Sequence, residues 1–262
     1  MAAPAAPTGL ETDDLPVGAK GLKTLFSFAP RLSDVSFVST NTTSKLNAGM
    51  FYESSVGPTN EFTEVSEMLA LVYNPAASLS GCGVSTQNHV SKQSALPYIL
   101  TSKPFYVSCE YALSDADAAN DHFSGFWMEP QEHNLAKSDV VPGQAAGYEA
   151  WTEIDVNESG NSGGRSLFSW LTWTGVYPAY KVSTVNNYGG GPVVDWSKFN
   201  RFGFRYDPVA KTGQGYCNDI LHTTYSNMLL NPTHHYYLIC DVASRGAKTP
   251  YQMIIKNLSA YQ

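Results

Sequence analysis

The chain has 262 residues, of which 15% are charged and 13% aromatic, with 21 glycines and 15 prolines. This length fits one large β domain, and the mixture is typical of many short strands joined by turns. The net charge of −7 and the lack of a basic patch argue against nucleic acid or an anionic membrane as a partner. No apolar run approaches the roughly 18 residues of a membrane span, so membrane insertion is not expected.

Residues 1–20 are rich in Ala, Pro and Gly and are predicted to form a flexible lead-in. They lack the charged start and the apolar stretch of a signal peptide, so the sequence leaves the export route open. Residues 21–262 contain no linker and no internal repeat. We therefore predict that they form a single domain.

Short apolar or alternating runs recur from Leu25 onward, separated by turn signals rich in Gly, Asn and Pro. None keeps the helical period of 3.6 residues for long, whereas alternation over short runs is typical of strands. We predict an all-β fold, a two-sheet antiparallel β-sandwich. The predicted strands include Leu25–Phe28, Met50–Tyr52, Met68–Tyr73, Phe105–Tyr111, Phe123–Met128, Glu149–Val156, Leu167–Trp173, Phe202–Tyr206, Tyr236–Val242 and Tyr251–Leu258.

The strand predicted around residues 149–158 carries three closely spaced carboxylates, Glu153, Asp155 and Glu158. Side chains alternate between the two faces of a strand, so Glu153 and Asp155 share one face. Strict alternation would place Glu158 on the opposite, apolar face, where a charge is unfavourable. One extra residue at position 156 or 157, a β-bulge, would return Glu158 to the face of the other two acids.

Clustered acids repel each other, so their presence on one strand needs a reason. Glycoside hydrolysis supplies one: a carboxylate attacks the sugar while a second acts as acid and then base, about 5–5.5 Å away in retaining enzymes. The competing interpretation is structural, because acidic side chains also protect an exposed strand from pairing with other chains.

Aromatic residues near the acidic strand favour the hydrolytic interpretation, because an exposed indole face stacks on a sugar ring. The same side chains could instead fill the core of the sandwich. The predicted substrate-binding residues are Trp127 and Trp173 first, then Trp151 and Trp170, with Arg165 as a polar contact.

The four cysteines show no spacing typical of metal ligands, and no metal site is predicted from them. Cys109 and Cys240 lie in apolar runs and are expected to behave as small buried hydrophobic residues. A disulfide between some pair stays open at this point.

The order of these landmarks resembles glycoside hydrolase family 16, over roughly residues 25 to 262. The resemblance implies a concanavalin-like jelly roll with a concave substrate groove. It also implies a monomeric enzyme that acts outside the cell or at the cell surface and needs no cofactor. It rests on Phe105–Ser114 followed by Ser124–Pro130, on Glu153-Ile-Asp155-Val-Asn-Glu158 as the bulged motif Glu-x-Asp-x-x-Glu, on Phe199–Pro208 with Gly215–Ile220, and on Tyr236–Asp241 with Tyr251–Gln262.

The matched motif implies that Glu153 is the nucleophile, Glu158 the general acid and base, and Asp155 the residue that tunes them. Family members often hold a structural calcium ion with an Asp in the final strand, where this chain has Lys256, which argues against calcium here. The run Thr152–Val156 is more similar to galactan-cleaving members than to β-1,3-glucanases.

The resemblance therefore favours a polysaccharide substrate, a β-linked galactan of agar, porphyran or carrageenan type, with β-1,3-glucan next. The alternative function is a non-catalytic module of the same fold that binds carbohydrate or serves as a surface or virion adhesion domain. Retention of all three acids argues against this alternative, because a pure binding module gains nothing from their repulsion.

Overall fold

The computed structural model describes residues 15–36, 50–53, 62–75, 81–87, 96–114, 122–134, 141–158, 166–176, 179–188, 191–244 and 249–262. Strands make up most of these ranges, and the predicted β-sandwich is confirmed. The only α-helix within them is one turn, α1 (Gln131–Asn134), and 3-10 turns occur at Val17–Ala19 and Leu32–Asp34.

Seventeen strands make up the described part of the fold, and each of the ten predicted runs falls on one of them. They are β1 (Thr24–Phe28), β2 (Val35–Ser36), β3 (Met50–Glu53), β4 (Phe62–Val65), β5 (Met68–Tyr73), β6 (Gly81–Ser85), β7 (Ile99–Leu100), β8 (Phe105–Leu113), β9 (His122–Pro130), β10 (Tyr148–Glu158), β11 (Leu167–Val176), β12 (Lys181–Tyr188), β13 (Asn200–Asp207), β14 (Thr212–Cys217), β15 (Ile220–Ser226), β16 (His235–Ser244) and β17 (Tyr251–Tyr261).

The strands form two sheets. The front sheet has the order β12-β11-β10-β9-β16-β6-β3-β2, and β7 also pairs with β16. The back sheet has the order β15-β14-β13-β8-β17-β5-β4, and β1 also pairs with β17. All described pairings are antiparallel except that of β2 with β3.

Alternate residues of each sheet meet in one core between the sheets. Phe126, Ile154 and Cys240 enter it from the front sheet, and Cys109 and Phe202 from the back sheet, all with 0% exposure. Burying each large apolar side chain stabilises the fold by about 1.5–3 kcal/mol. Because even-numbered residues of β9 and β16 point into this core, their odd-numbered neighbours point to the opposite face of the sheet, and this alternation positions the candidate site.

The four cysteines are free and buried, as expected for Cys109 and Cys240. The sulfur atoms of these two residues lie 3.8 Å apart across the core. Burial raises the pKa of the Cys109 thiol well above its ordinary value. Both residues therefore serve as core packing between the sheets.

The last part of the predicted lead-in packs against the sandwich. Residues 15–20 are docked on the back sheet: Ala19 is fully buried against Tyr106, and Arg205 donates hydrogen bonds to the carbonyl oxygens of Gly18 and Lys20. These partners lie far away in sequence, so local composition could not reveal the docking. Residues 1–14 lie outside the described residues.

Candidate active site

The acidic strand β10 contains the predicted bulge. Asp155 lies opposite Trp127 of β9, and Asn157 lies opposite Phe126, so Val156 has no partner on β9. The register to β11 shifts over the same residues. One residue is thus inserted into β10, at the position that the charge pattern indicated.

The bulge returns Glu158 to the face of the other two acids. Glu158 lies opposite Gly125, which is two residues from Trp127 on β9 and therefore shares its face. Trp127 in turn lies opposite Asp155. Val156 belongs to the buried core and Asn157 is fully buried, whereas Glu158 is partly exposed.

The three carboxyl groups interact closely, and burial is the main influence on two of them. Burial raises the pKa of Asp155 well above its usual value, and the charges of Glu158 and Glu153 add to the rise. Burial also raises the pKa of Glu153, although hydrogen bonds from Trp173 and Asp155 oppose this rise. The hydrogen bond between the two acids itself raises the pKa of Asp155 and lowers that of Glu153.

Hydrogen bonds from β11 hold two of these acids in place. The indole Nε1 of Trp173 donates to Oε2 of Glu153 at 2.8 Å. The hydroxyl of Ser169 donates to Oδ2 of Asp155. Both donors face outward on β11, because Ser169 lies directly opposite Asp155 and Trp173 lies two pairs further along the outer face, opposite Trp151.

Trp127 lies on the same outer face, next to Glu158. Its indole Nε1 donates to Oδ1 of Asp241 on β16 at 3.1 Å, across Gly125. A Cβ at Gly125 would lie 2.1 Å from that same oxygen and 3.3 Å from Cδ1 of Trp127. The missing side chain at this position therefore makes room for the hydrogen bond, and the Trp127 side chain remains partly exposed beside the acids.

Trp151 faces outward but is covered. The His133 ring stacks on its indole at 3.6 Å between centroids, and Tyr180 packs against it edge-on at 4.6 Å. It is only 5% exposed. Since its faces are occupied by protein, we regard Trp151 as part of the wall beside Trp173, with which it stacks at 6.1 Å.

Trp170 does not lie with the carboxylates, in contrast to the expectation from sequence. It is opposite Ile154 on β10, and it packs against the core. Trp170 and Trp173 are three residues apart, so an extended strand directs them to opposite faces. Arg165, the predicted polar contact, lies outside the described residues.

Sequence reasoning missed three further acids that share this outer face. The face of strands β6, β9, β10, β11 and β16 that is turned away from the core is called here the acidic face. These five strands contain no lysine or arginine. All six of their acids lie on it: Glu129, Glu149, Glu153, Asp155, Glu158 and Asp241.

The added acids are held by neighbouring side chains. Tyr237 donates a hydrogen bond to Glu129, and Tyr180 donates one to Glu149, which is fully buried. Alternation relative to Trp127 and Glu153 could have placed Glu129 and Glu149 on this face. Asp241 required the pairing of β16 with β9, which the sequence does not state.

Lys256 lies on the back sheet in an ion cluster rather than beside a metal ligand set. Its Nζ is 2.9 Å from Oε1 of Glu110, and Arg201 approaches the other oxygen at 3.5 Å. Two cations thus compensate this buried carboxylate. Within the described ranges, no group of three His, Cys, Asp or Glu side chains is arranged to hold a metal ion.

The two-sheet sandwich described above was compared with known proteins. A scan against family models finds no match, and a search of curated protein sequences finds none either. In structure, the chain is similar to many solved glycoside hydrolases. No helix among the described residues is long and apolar enough to cross a membrane.

Three of these structures illustrate the likeness. An endo-1,3-β-glucanase from Streptomyces sioyaensis is 14% identical, with a TM-score of 0.56 over 98% of this chain and 99% of that one. A laminarinase from Flavobacterium sp. UMI-01 is 11% identical, with a TM-score of 0.56 over 92% and 100%. A glycoside hydrolase family 16 endo-glucanase from Bacteroides ovatus is 10% identical, with a TM-score of 0.53 over 90% and 99%. The resemblance to family 16 therefore extends through the whole fold.

Proposed function

We propose that the protein is an endo-acting, retaining β-glycoside hydrolase that cleaves a polysaccharide. The observation that carries this proposal is the single-residue bulge in β10, which gathers Glu153, Asp155 and Glu158 on one face. The solved structures of similar fold are described as endo-acting enzymes, which is consistent with the proposal. A polymer too large to enter a cell intact is consistent with action outside the cell.

In the proposed reaction, the Glu153 carboxylate attacks the anomeric carbon while Glu158 gives its proton to the departing glycosidic oxygen. A covalent glycosyl-enzyme results. Glu158, now ionised, takes a proton from water, whose oxygen displaces Glu153 and releases the sugar with its original configuration. In this reaction Asp155 keeps its proton, so that it adds no second negative charge to the site, and it orients Glu153 through their hydrogen bond.

The acidic face favours an uncharged polymer over a sulfated one. The ionised members of these six acids, with no lysine or arginine on the same five strands, repel a chain of sulfate groups, and the repulsion is strongest where water is excluded. Of the substrates that the sequence suggested, the proposal therefore includes unsulfated agar-type galactan and β-1,3-glucan and leaves out the sulfated galactans porphyran and carrageenan.

A reducing-end assay tests this function. The wild-type protein is incubated with β-1,3-glucan, agarose, porphyran and carrageenan, beside Glu153→Gln and Glu158→Gln. Glu64→Gln, at an exposed position on β4 of the back sheet, serves as the matched control. We expect release from an uncharged polymer by the wild type and Glu64→Gln, and loss of at least about 100-fold in the other two variants.

Three outcomes would contradict the proposal in different ways. If the wild type and all variants bind the polysaccharide but release no reducing ends, the non-catalytic module would be supported. Release that survives in Glu153→Gln would refute the assignment of the nucleophile. Preference for carrageenan would refute the charge argument while leaving the chemistry intact.

A further inference from the structure

Directly behind the bulge, polar groups from three strands meet between the two sheets. Asn157 of β10 donates from Nδ2 to the hydroxyl oxygen of Tyr111, which belongs to β8 of the opposite sheet. The hydroxyl of Ser124 on β9 also donates to Tyr111, at 3.2 Å. These groups are fully buried, so the cluster is enclosed by the core.

This buried polar cluster is expected to lower the stability of the fold. Oδ1 of Asn157 is buried and has no hydrogen-bond partner among the described residues. The Tyr111 ring packs against Phe202 and Trp196, at 5.1 and 6.2 Å between centroids, so its surroundings are apolar. Apolar residues of the same shape would avoid the penalty for burying unsatisfied polar atoms. A buried polar group that costs stability needs another explanation.

Its position supplies that explanation. Asn157 follows the unpaired Val156 and immediately precedes Glu158. A bulge disrupts the ladder of hydrogen bonds, so the strand's own pairing leaves the direction of the next side chain weakly fixed. The bond to Tyr111 ties this point of β10 to the other sheet and is independent of the ladder.

We propose that Tyr111 and Asn157 are positioning residues that fix the direction in which Glu158 points. This inference rests on the proposed function, in which Glu158 is the general acid and base. Burial raises the pKa of Tyr111 well above its ordinary value, so its hydroxyl keeps its proton at working pH. The tether therefore remains intact across the range in which the acids titrate.

The role has a kinetic signature, because acid assistance matters only when the leaving group is poor. Polysaccharide cleavage expels a sugar alkoxide and needs the proton of Glu158. A 2,4-dinitrophenyl glycoside of the cleaved sugar expels a stable phenolate and does not. If Glu158 is displaced, cleavage of the polysaccharide should therefore slow down. Azide attacks the glycosyl-enzyme without a general base, so it should restore turnover of the dinitrophenyl glycoside.

The test compares Tyr111→Phe and Asn157→Leu with Ser124→Ala, which contacts the same hydroxyl but lies outside the bulge. We expect the first two to lose about 10- to 100-fold in kcat on the polysaccharide, part of the 10²- to 10⁴-fold supplied by acid–base catalysis. Formation of the glycosyl-enzyme from the dinitrophenyl glycoside should stay within about threefold of wild type, and azide should accelerate its turnover. Asn157→Leu should melt at or above the wild-type temperature.

Wild-type kcat on the polysaccharide in both variants would overturn the positioning role. So would equal losses on both substrates without azide rescue, which would indicate general damage to the site. A wild-type protein that is inactive on every polysaccharide would refute the proposed function, and the positioning role with it.

Discussion

Replacing Gly125 with alanine should damage the site through one atomic collision. The new Cβ would lie 2.1 Å from Oδ1 and 3.2 Å from Cγ of Asp241. Ordinary contact begins near 3.4 Å, so the carboxylate must move by about 1 Å or more. Its bond to Trp127 is already 3.1 Å long and would be broken by such a movement.

The expected loss in kcat/KM follows from the role of the hydrogen bond between Trp127 and Asp241. A hydrogen bond to a charged group contributes about 1.5–3 kcal/mol, and we assign about 1–2 kcal/mol to holding the Trp127 indole for the sugar. This corresponds to about a 5- to 30-fold loss in kcat/KM on the polysaccharide. The fold itself should tolerate the change, because alanine is at least as favourable as glycine in a regular strand.

A double-mutant cycle isolates the collision. In an Asp241→Ala background the struck oxygen is absent, so adding Gly125→Ala should change kcat/KM by less than about twofold. Asp241→Asn keeps an oxygen that accepts from Trp127 and should retain most of the activity. Reducing-end kinetics and melting temperatures of the four cycle members are the measurements. Equal losses in both backgrounds would show that the collision with Asp241 is not the cause.

Three further predictions concern other residues of the site. Because burial raises the pKa of Asp155, the contribution of this group to the free energy of unfolding should be fully present below about pH 4, its ordinary value, and should be lost as the pH rises through the higher folded pKa. Asp155→Asn should lack this fall and be more stable than wild type at pH 8 but less active, which urea denaturation and kinetics from pH 4 to 9 would check. Trp173→Phe removes a bond that lowers the pKa of Glu153, so the acidic limb of the kcat/KM profile should move to higher pH; an unmoved limb would contradict this. Trp170→Phe should cost about 1–3 kcal/mol of stability with kcat/KM unchanged, whereas Trp127→Phe should show the opposite pattern in denaturation and activity assays.

The bulge in β10 could be predicted from sequence because two local rules gave conflicting positions for Glu158. Alternation assigned Glu158 to the apolar face, and the cost of burying a charge required an inserted residue. The observed register contains that insertion at Val156. Local alternation was thus sufficient for the strand and for the relation among its three acids.

What the sequence could not provide depends on contacts between distant residues. Asp241 joins the acidic face only because β16 pairs with β9, more than 100 positions earlier in the chain. The docking of residues 15–20 depends on Arg205, and the covering of Trp151 depends on His133. The position of Trp170, in contrast, could have been predicted locally. It is three residues from Trp173, so the two side chains point to opposite faces of the strand.

The place of β17 in the back sheet has a consequence for synthesis. This strand, Tyr251–Tyr261, lies between β8 and β5 and also pairs with β1, so it joins segments made much earlier. Until it emerges from the ribosome, the facing edges of β8 and β5 have no partner, and unpaired edges invite aggregation. Nascent chains arrested before residue 251 should therefore require a chaperone, and the back sheet should close only once β17 is available to join β8 to β5.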